Sequence, residues 1–129
     1  MFLVRTEIRP SPIQGVGVFA IEPIPKGTIV WAWHSGVDRT VPLSEVDKMS
    51  SVAREAFERY AFKPRGSPFW VLAVFGGCFI NHSNAPNLAS PSSAWDSPSI
   101  ALRDIGIGEE LTEDYQTYNE LSTDGLYAT

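Results

Sequence analysis

Three short stretches carry groups that could do chemistry: Gln14-Gly15-Val16-Gly17, Asn81-His82-Ser83, and Tyr115 at the end of an acidic run. Two glycines flanking one residue let a backbone turn tightly and approach a ligand closely. A dinucleotide fingerprint would need a third glycine and a following helix. Here Val18-Phe19-Ala20-Ile21 follows, which has the composition of a strand, so a plain hairpin turn is the competing reading. His82 beside Ser83 suggests a hydrolase, yet adjacent residues seldom set a base against its nucleophile, and there is no nucleophile elbow. His34 and His82 are the only histidines and no acid-histidine cluster surrounds them, so no metal site is expected. Asn81, between Ile80 and His82, reads better as a buried amide, which must find partners. An adenine edge, an amino-acid head group or a structural turn would each supply them. A tyrosine such as Tyr115 next to a strand end is ordinarily packing, and carboxylates such as Glu109, Glu110, Glu113 and Asp114 ordinarily form a solvated face.

The elements that would position these groups are short. With 129 residues, 43% of them hydrophobic, the chain suits a single domain over 1–129 with one modest core. Ten glycines and ten prolines imply many turns, and so short strands rather than long helices. Strands are expected over 2–8, 18–21, 28–33 and 69–74, with shorter ones at 88–89, 99–105 and 111–113. One helix is expected over 44–60, with Ser44 as N-cap and Asp47 in its first turn. Val46, Met49, Ala53, Ala56, Phe57 and Tyr60 recur at steps of three and four and would form its core-facing side. The fold class is therefore mainly β with one or two short helices.

Charge and cysteine count narrow the function. A net charge of -5 and the absence of a basic run make nucleic acid a poor partner, since duplexes are bound through lysine and arginine at phosphates. A basic peptide suits the charge better. Cys78 is the only cysteine, so neither an intrachain disulfide nor a cysteine-rich zinc site can form. No apolar run approaches the roughly 20 residues that span a bilayer, and residues 1–7 lack the apolar core of a signal peptide. The expected protein is soluble and cytoplasmic, or nuclear in a eukaryotic or viral setting.

Taken in order, the motifs resemble those of the SET domain, a family of protein lysine methyltransferases. Ile13-Gln14-Gly15-Val16-Gly17-Val18-Phe19-Ala20 is similar to that family's first motif, and Pro25-Lys26-Gly27-Thr28-Ile29-Val30 to the turn and strand after it. Phe79-Ile80-Asn81-His82-Ser83-Asn84-Ala85-Pro86-Asn87 is similar to its most specific motif. Ala101-Leu102-Arg103-Asp104-Ile105 and Gly108-Glu109-Glu110-Leu111-Thr112-Glu113-Asp114-Tyr115 resemble its closing motif. The compact length resembles the small viral and bacterial members.

The resemblance implies a β-clip of small sheets in which the C-terminal segment passes under the Asn-His loop as a pseudoknot. It implies S-adenosyl-L-methionine as cofactor and a lysine-containing protein or peptide as substrate. Gln14, Gly15, Val16 and Gly17 would hold the methionine end of the cofactor through the main chain. Asn81 and His82 would hold its amino end and adenine, partly through backbone groups. Tyr115 would be the catalytic tyrosine, also against the cofactor, and Tyr60 and Tyr118 would wall the substrate channel. Two departures stand out: many relatives carry arginine where this chain has Cys78, and many close the lysine channel with a cysteine-rich zinc-binding tail. The apolar residues of 116–129, or a second copy of the chain in a homodimer, would have to supply that cover. These departures leave a catalytically inactive, SET-like module that binds a peptide or protein as the alternative.

Overall fold

The structure is a computed structural model, which describes residues 1–117. Strand β1 (Thr6–Pro10) and β2 (Val16–Ala20) form an antiparallel pair, with Arg9 opposite Gly17 and Pro10 opposite Val16. The turn between them closes with a hydrogen bond from the Ser11 N–H to the Gly15 carbonyl, 2.9 Å, and Gly15 takes φ +48°. A side chain there would be strained, which is why the turn needs glycine. Strands β3 (Ile29–Trp31), β8 (Ser99–Ala101) and β7 (Leu88–Ala89) make an antiparallel sheet with β8 central. Strands β4 (Arg39–Pro42) and β5 (Phe69–Leu72) pair separately.

One pairing joins distant parts of the chain in parallel. Strand β6 (Asn81–His82) lies beside β9 (Thr112–Glu113), with Asn81 opposite Thr112 and His82 opposite Glu113. The closing segment is thereby held against the Asn-His segment, the contact that the expected pseudoknot requires.

The principal core gathers Val18 and Ala20 of β2, Val30, Leu88 and Ala101 of the three-stranded sheet, and Ile24, Ile80, Ile105 and Leu111 from the segments between strands. Ile80 and Leu111 therefore anchor the segments on either side of the parallel pair in the same apolar interior. A second cluster, Val46, Ala61 and Trp70, packs under the β4–β5 pair.

The expected helix over 44–60 is two helices, α1 (Leu43–Val46) and α2 (Ser51–Tyr60). Ser50, rather than Ser44, is the capping serine: its backbone is extended and its hydroxyl accepts from the Ala53 N–H at 3.2 Å. Asp47 ends α1 instead of opening a longer helix. A serine that can satisfy the orphan N–H groups of a new helix competes with continuing the old one. The break also rotates the apolar stripe. Val46 is buried and Met49 and Phe57 pack against the second cluster, but Ala53 and Ala56 face solvent and Tyr60 is 44% exposed.

Several strand limits move too. β1 begins at Thr6, while Phe2 makes a separate bridge to Trp31. β3, β5 and β8 are shorter than the expected 28–33, 69–74 and 99–105, and β4, bounded by Pro42, was not expected.

Candidate functional site

Asn81 is the joint between the glycine turn and the closing strand. Its side-chain amide donates to the Gln14 carbonyl at 3.2 Å, the Val16 carbonyl at 3.0 Å and the Glu110 carboxylate at 2.7 Å. Glu110 in turn accepts from the Ser11 hydroxyl at 2.7 Å. Gly17 leaves room for this cluster, because a Cβ on it would stand 2.3 Å from a Glu110 carboxylate oxygen. Gln14, Gly15, Val16, Gly17 and Asn81 thus come together as the motifs imply. The Asn81 side-chain NH2 is thus spent on the chain itself.

His82 is buried, and both ring nitrogens have partners. Nδ1 accepts from the Tyr115 backbone N–H at 3.1 Å, so Nε2 carries the hydrogen and donates to Asn84 Oδ1 at 2.9 Å. This histidine positions the backbone of Tyr115 and is poorly placed to act as a base. Asn87, to which sequence reasoning assigned no role, is a third clamp. It is 3% exposed, accepts from the Thr112 N–H at 2.8 Å and donates to the Glu110 carbonyl at 2.8 Å. The available signal was its place at the end of Asn84-Ala85-Pro86-Asn87, where a second amide follows the first after a proline.

Tyr115 opens a short 3-10 turn (Tyr115–Thr117) directly after β9. Its hydroxyl donates to the Ile80 carbonyl, and its ring lies 5.4 Å from that of His82. Tyr115 borders a cleft of about 930 Å³, counting the solvent at its mouth. Trp31, Tyr60, Cys78, Trp95 and Glu113 share its lining. Tyr60 projects from the end of α2 and meets Phe79 edge-on at 5.5 Å. Trp95 is held edge-on against Trp33 at 4.8 Å and Phe69 at 5.3 Å. Burial pushes the Cys78 thiol up from its ordinary range, which disfavours the thiolate a nucleophile needs. The Trp31 indole N–H and the Ser97 hydroxyl, both on residues lining the cleft, are buried with no hydrogen-bond partner among the described residues.

The expected site is therefore divided. Tyr60 and Tyr115 share the cleft, but Gln14, Gly15, Val16, Gly17, Asn81 and His82 do not line it. The two parts meet at Ile80-Asn81, whose first residue faces the cleft and whose second clamps the glycine turn. Tyr118 lies outside the described residues. Among the described residues, no group of three or more His, Cys, Asp or Glu side chains could hold a metal ion. No helix among them is long and apolar enough to cross a membrane.

The sequence model of one family, the SET domain, matches residues 15–116, from the glycine turn to the residue after Tyr115. The chain belongs to the SET-domain family. No curated protein matches it by sequence. Among solved structures, this SET domain is similar to a protein of Plasmodium falciparum described as a histone methyltransferase. The identity is 21% and the TM-score 0.58, over 87% of this chain and 93% of that one. It is also similar to a chain of an inhibitor-bound, humanized mutant of Polycomb Repressive Complex 2 from Chaetomium thermophilum. There the identity is 22% and the TM-score 0.67, over 93% of this chain but only 16% of the other. At these identities the likeness shows the fold: a mainly β SET domain of several small sheets with two short helices.

Proposed function

We propose that this SET domain transfers a methyl group from S-adenosyl-L-methionine to the side-chain amine of a lysine in a protein substrate. The observation that carries the reading is Tyr115: a phenol fixed by His82 and Ile80 on the wall of an aromatic cleft, two residues along from the strand held against Asn81-His82.

The residues present fit the cofactor. Nothing lies within 4 Å of the place where a side chain on Gly15 would stand, so its backbone is open to close approach. Gln14 to Gly17 would hold the methionine end through main-chain groups, and the backbones of Asn81 and His82 the amino end and adenine. When bound, S-adenosyl-L-methionine supplies an electrophilic methyl group on a positively charged sulfur.

The chain's own task is then to deliver a neutral amine in line with that methyl, which is largely positioning. A free lysine has a pKa of about 10.4, so making it neutral at pH 7 costs about 4–5 kcal/mol. Trp31, Tyr60, Trp95 and Tyr115 line the cleft, and a lysine stem bound against them would displace water, a desolvation that lowers that cost. The Tyr115 hydroxyl would hold the amine, and bulk solvent would take its proton. With both nitrogens of His82 engaged, this reaction asks for no histidine base.

The test is transfer of a radiolabelled methyl group to proteins of a cell lysate, followed by mapping of the labelled side chain. Label on a lysine amine is the expected result. A chain that binds the cofactor in a titration yet labels nothing would be a binding module, and the proposed activity would be withdrawn.

A further inference from the structure

Among the described residues that line the cleft, Arg59 is the only cation. It stands beside Tyr60 in the last turn of α2 and is exposed, so it belongs to the mouth of the cleft rather than to its floor. The other charged residue of that lining, Glu113, is half-buried and accepts from the Ser99 hydroxyl. The two arginines of α2 are used differently. Arg54 donates to Glu58 at 2.8 Å and to Asp47 at 3.2 Å. Arg59 has no hydrogen bond or ion pair among the described residues, not even with Glu55 one turn earlier. A cation in the last turn of a helix suits the helix dipole, but that role does not call for a place in a cleft. At 3.6 residues per turn, Val52, Ala56, Arg59 and Tyr60 fall within roughly 100° of one another around α2, while Phe57 faces inward onto the second cluster. Val52 is 76% exposed and Ala56 is exposed as well, so this side of α2 lies open from the cleft outward. A polypeptide that placed one side chain in the cleft beside Tyr60 would pass Arg59 at the mouth.

We propose that Arg59 selects substrates in which an acidic residue stands next to the target lysine. This selection rests on the methyltransferase reading of the cleft and names the class of substrate for it. A guanidinium presents its donors as a planar fork that matches a carboxylate, and Arg59 has that fork unspent at the place a neighbouring side chain would reach. Once paired with the guanidinium, the acid brings no net charge to the mouth, so the amine beyond it still loses its proton to solvent. The chain as a whole carries -5, which favours a basic substrate; Arg59 makes the opposite demand at one position. Glu55, one turn back, competes for the guanidinium in solution, and both partners of the proposed pair are open to water, so the expected preference is modest.

The test measures binding, without a methyl donor. Two short fluorescent peptides with a single lysine carry either glutamate or glutamine on both sides of it, so that either chain direction presents the flanking residue to Arg59. Their anisotropy is followed at low salt, where exposed charges are least screened, as the full chain is added. The wild type is expected to bind the glutamate peptide about fivefold more tightly, the effect of one well-formed exposed ion pair. The net charge of the protein predicts the reverse order, so the two causes cannot be confused. Arg59→Gln, a change at an exposed position, is expected to abolish the preference for glutamate. Equal or weaker binding of the glutamate peptide by the wild type overturns the proposal, as does failure to bind either peptide or a glutamate preference that survives in Arg59→Gln. The wild-type comparison can refute the proposal by itself, whatever the stability of the variant. The two readings fail separately. Labelling of lysate proteins at lysines without acidic neighbours sinks the role of Arg59 and leaves methyl transfer standing. A glutamate preference in a chain that labels nothing sinks methyl transfer and leaves Arg59 as the recognition residue of a binding module.

Discussion

The glycine turn and the cleft beneath Tyr115 are built on opposite principles, although Ile80-Asn81 belongs to both. At the turn, Ser11, Glu110 and Asn81 satisfy one another and the Gln14 and Val16 carbonyls, and Gly17 is crowded to the limit. In the cleft the volume is open, the Trp31 N–H and Ser97 hydroxyl lack partners among the described residues, and Tyr60 is nearly half exposed. A saturated polar cluster holds backbone in place; an open aromatic wall accepts a visitor. On the proposed reading the first region supplies stability and holds the cofactor while the second handles substrate, and each variant below can break that division.

The largest loss of stability is expected from Asn87→Ala, which orphans the buried Thr112 N–H and Glu110 carbonyl together. At roughly 1–2 kcal/mol for each abandoned group the cost is about 3 kcal/mol, read from the urea midpoint. Gly17→Ala should follow, at about 2 kcal/mol, since its methyl group must displace a Glu110 carboxylate that Ser11 and Asn81 hold from two sides. If Gly17→Ala unfolds at the wild-type urea concentration, the turn is looser than its geometry implies and the division fails there.

Tyr60→Ala sharpens the comparison from the other side. It removes one edge-on contact with Phe79, worth about 1 kcal/mol, from a half-exposed ring. Yet KM for a lysine substrate should rise by about tenfold, because part of the stem's wall is gone. The reverse pattern, large destabilisation with unchanged KM, would return Tyr60 to the core.

The smallest effect belongs to a pair outside both regions. The Arg103 guanidinium and the Gly106 N–H hold the Glu109 carboxyl below its usual range. A lowered folded-state pKa means that the stabilisation is present above the ordinary glutamate range and fades as pH falls through the folded-state value. The pair is exposed, so Arg103→Ala should cost less than about 1 kcal/mol at pH 7 and flatten that small acid dependence. Melting curves at pH 7 and at a pH below the ordinary glutamate range would show it.

Much of this arrangement was legible in the residues, and the part that was not has physical reasons. The ordered motifs point to the SET fold because the chemistry-bearing stretches keep their order and their glycines. The crowding at Gly17 is a requirement that only glycine meets, and the Asn81 amide, read as buried, is half-buried yet finds the partners expected of it. The break at Ser50 was hidden because 44–60 keeps helical spacing through it, and a cap is decided by a hydroxyl rather than by apolar period. Asn87 and Glu113 escaped notice for a different reason. Their partners, Thr112 and Ser99, lie 25 and 14 residues away, and no local pattern reports a pairing across that distance. Glu113 also sits in a run where carboxylates ordinarily face water.

The central claim is that methyl transfer depends on the Tyr115 hydroxyl in the cleft, while donor binding rests on the glycine turn and the Asn81-His82 backbone. Tyr115→Phe keeps the ring beside His82 and deletes only the oxygen. Parallel measurement of methyl-transfer rate and of S-adenosyl-L-methionine affinity by calorimetry should show the rate reduced at least about tenfold, a loss of about 1.4 kcal/mol of transition-state stabilisation, with affinity unchanged. Turnover equal to that of the wild type would contradict the assignment of Tyr115 and, with it, the role given to the cleft.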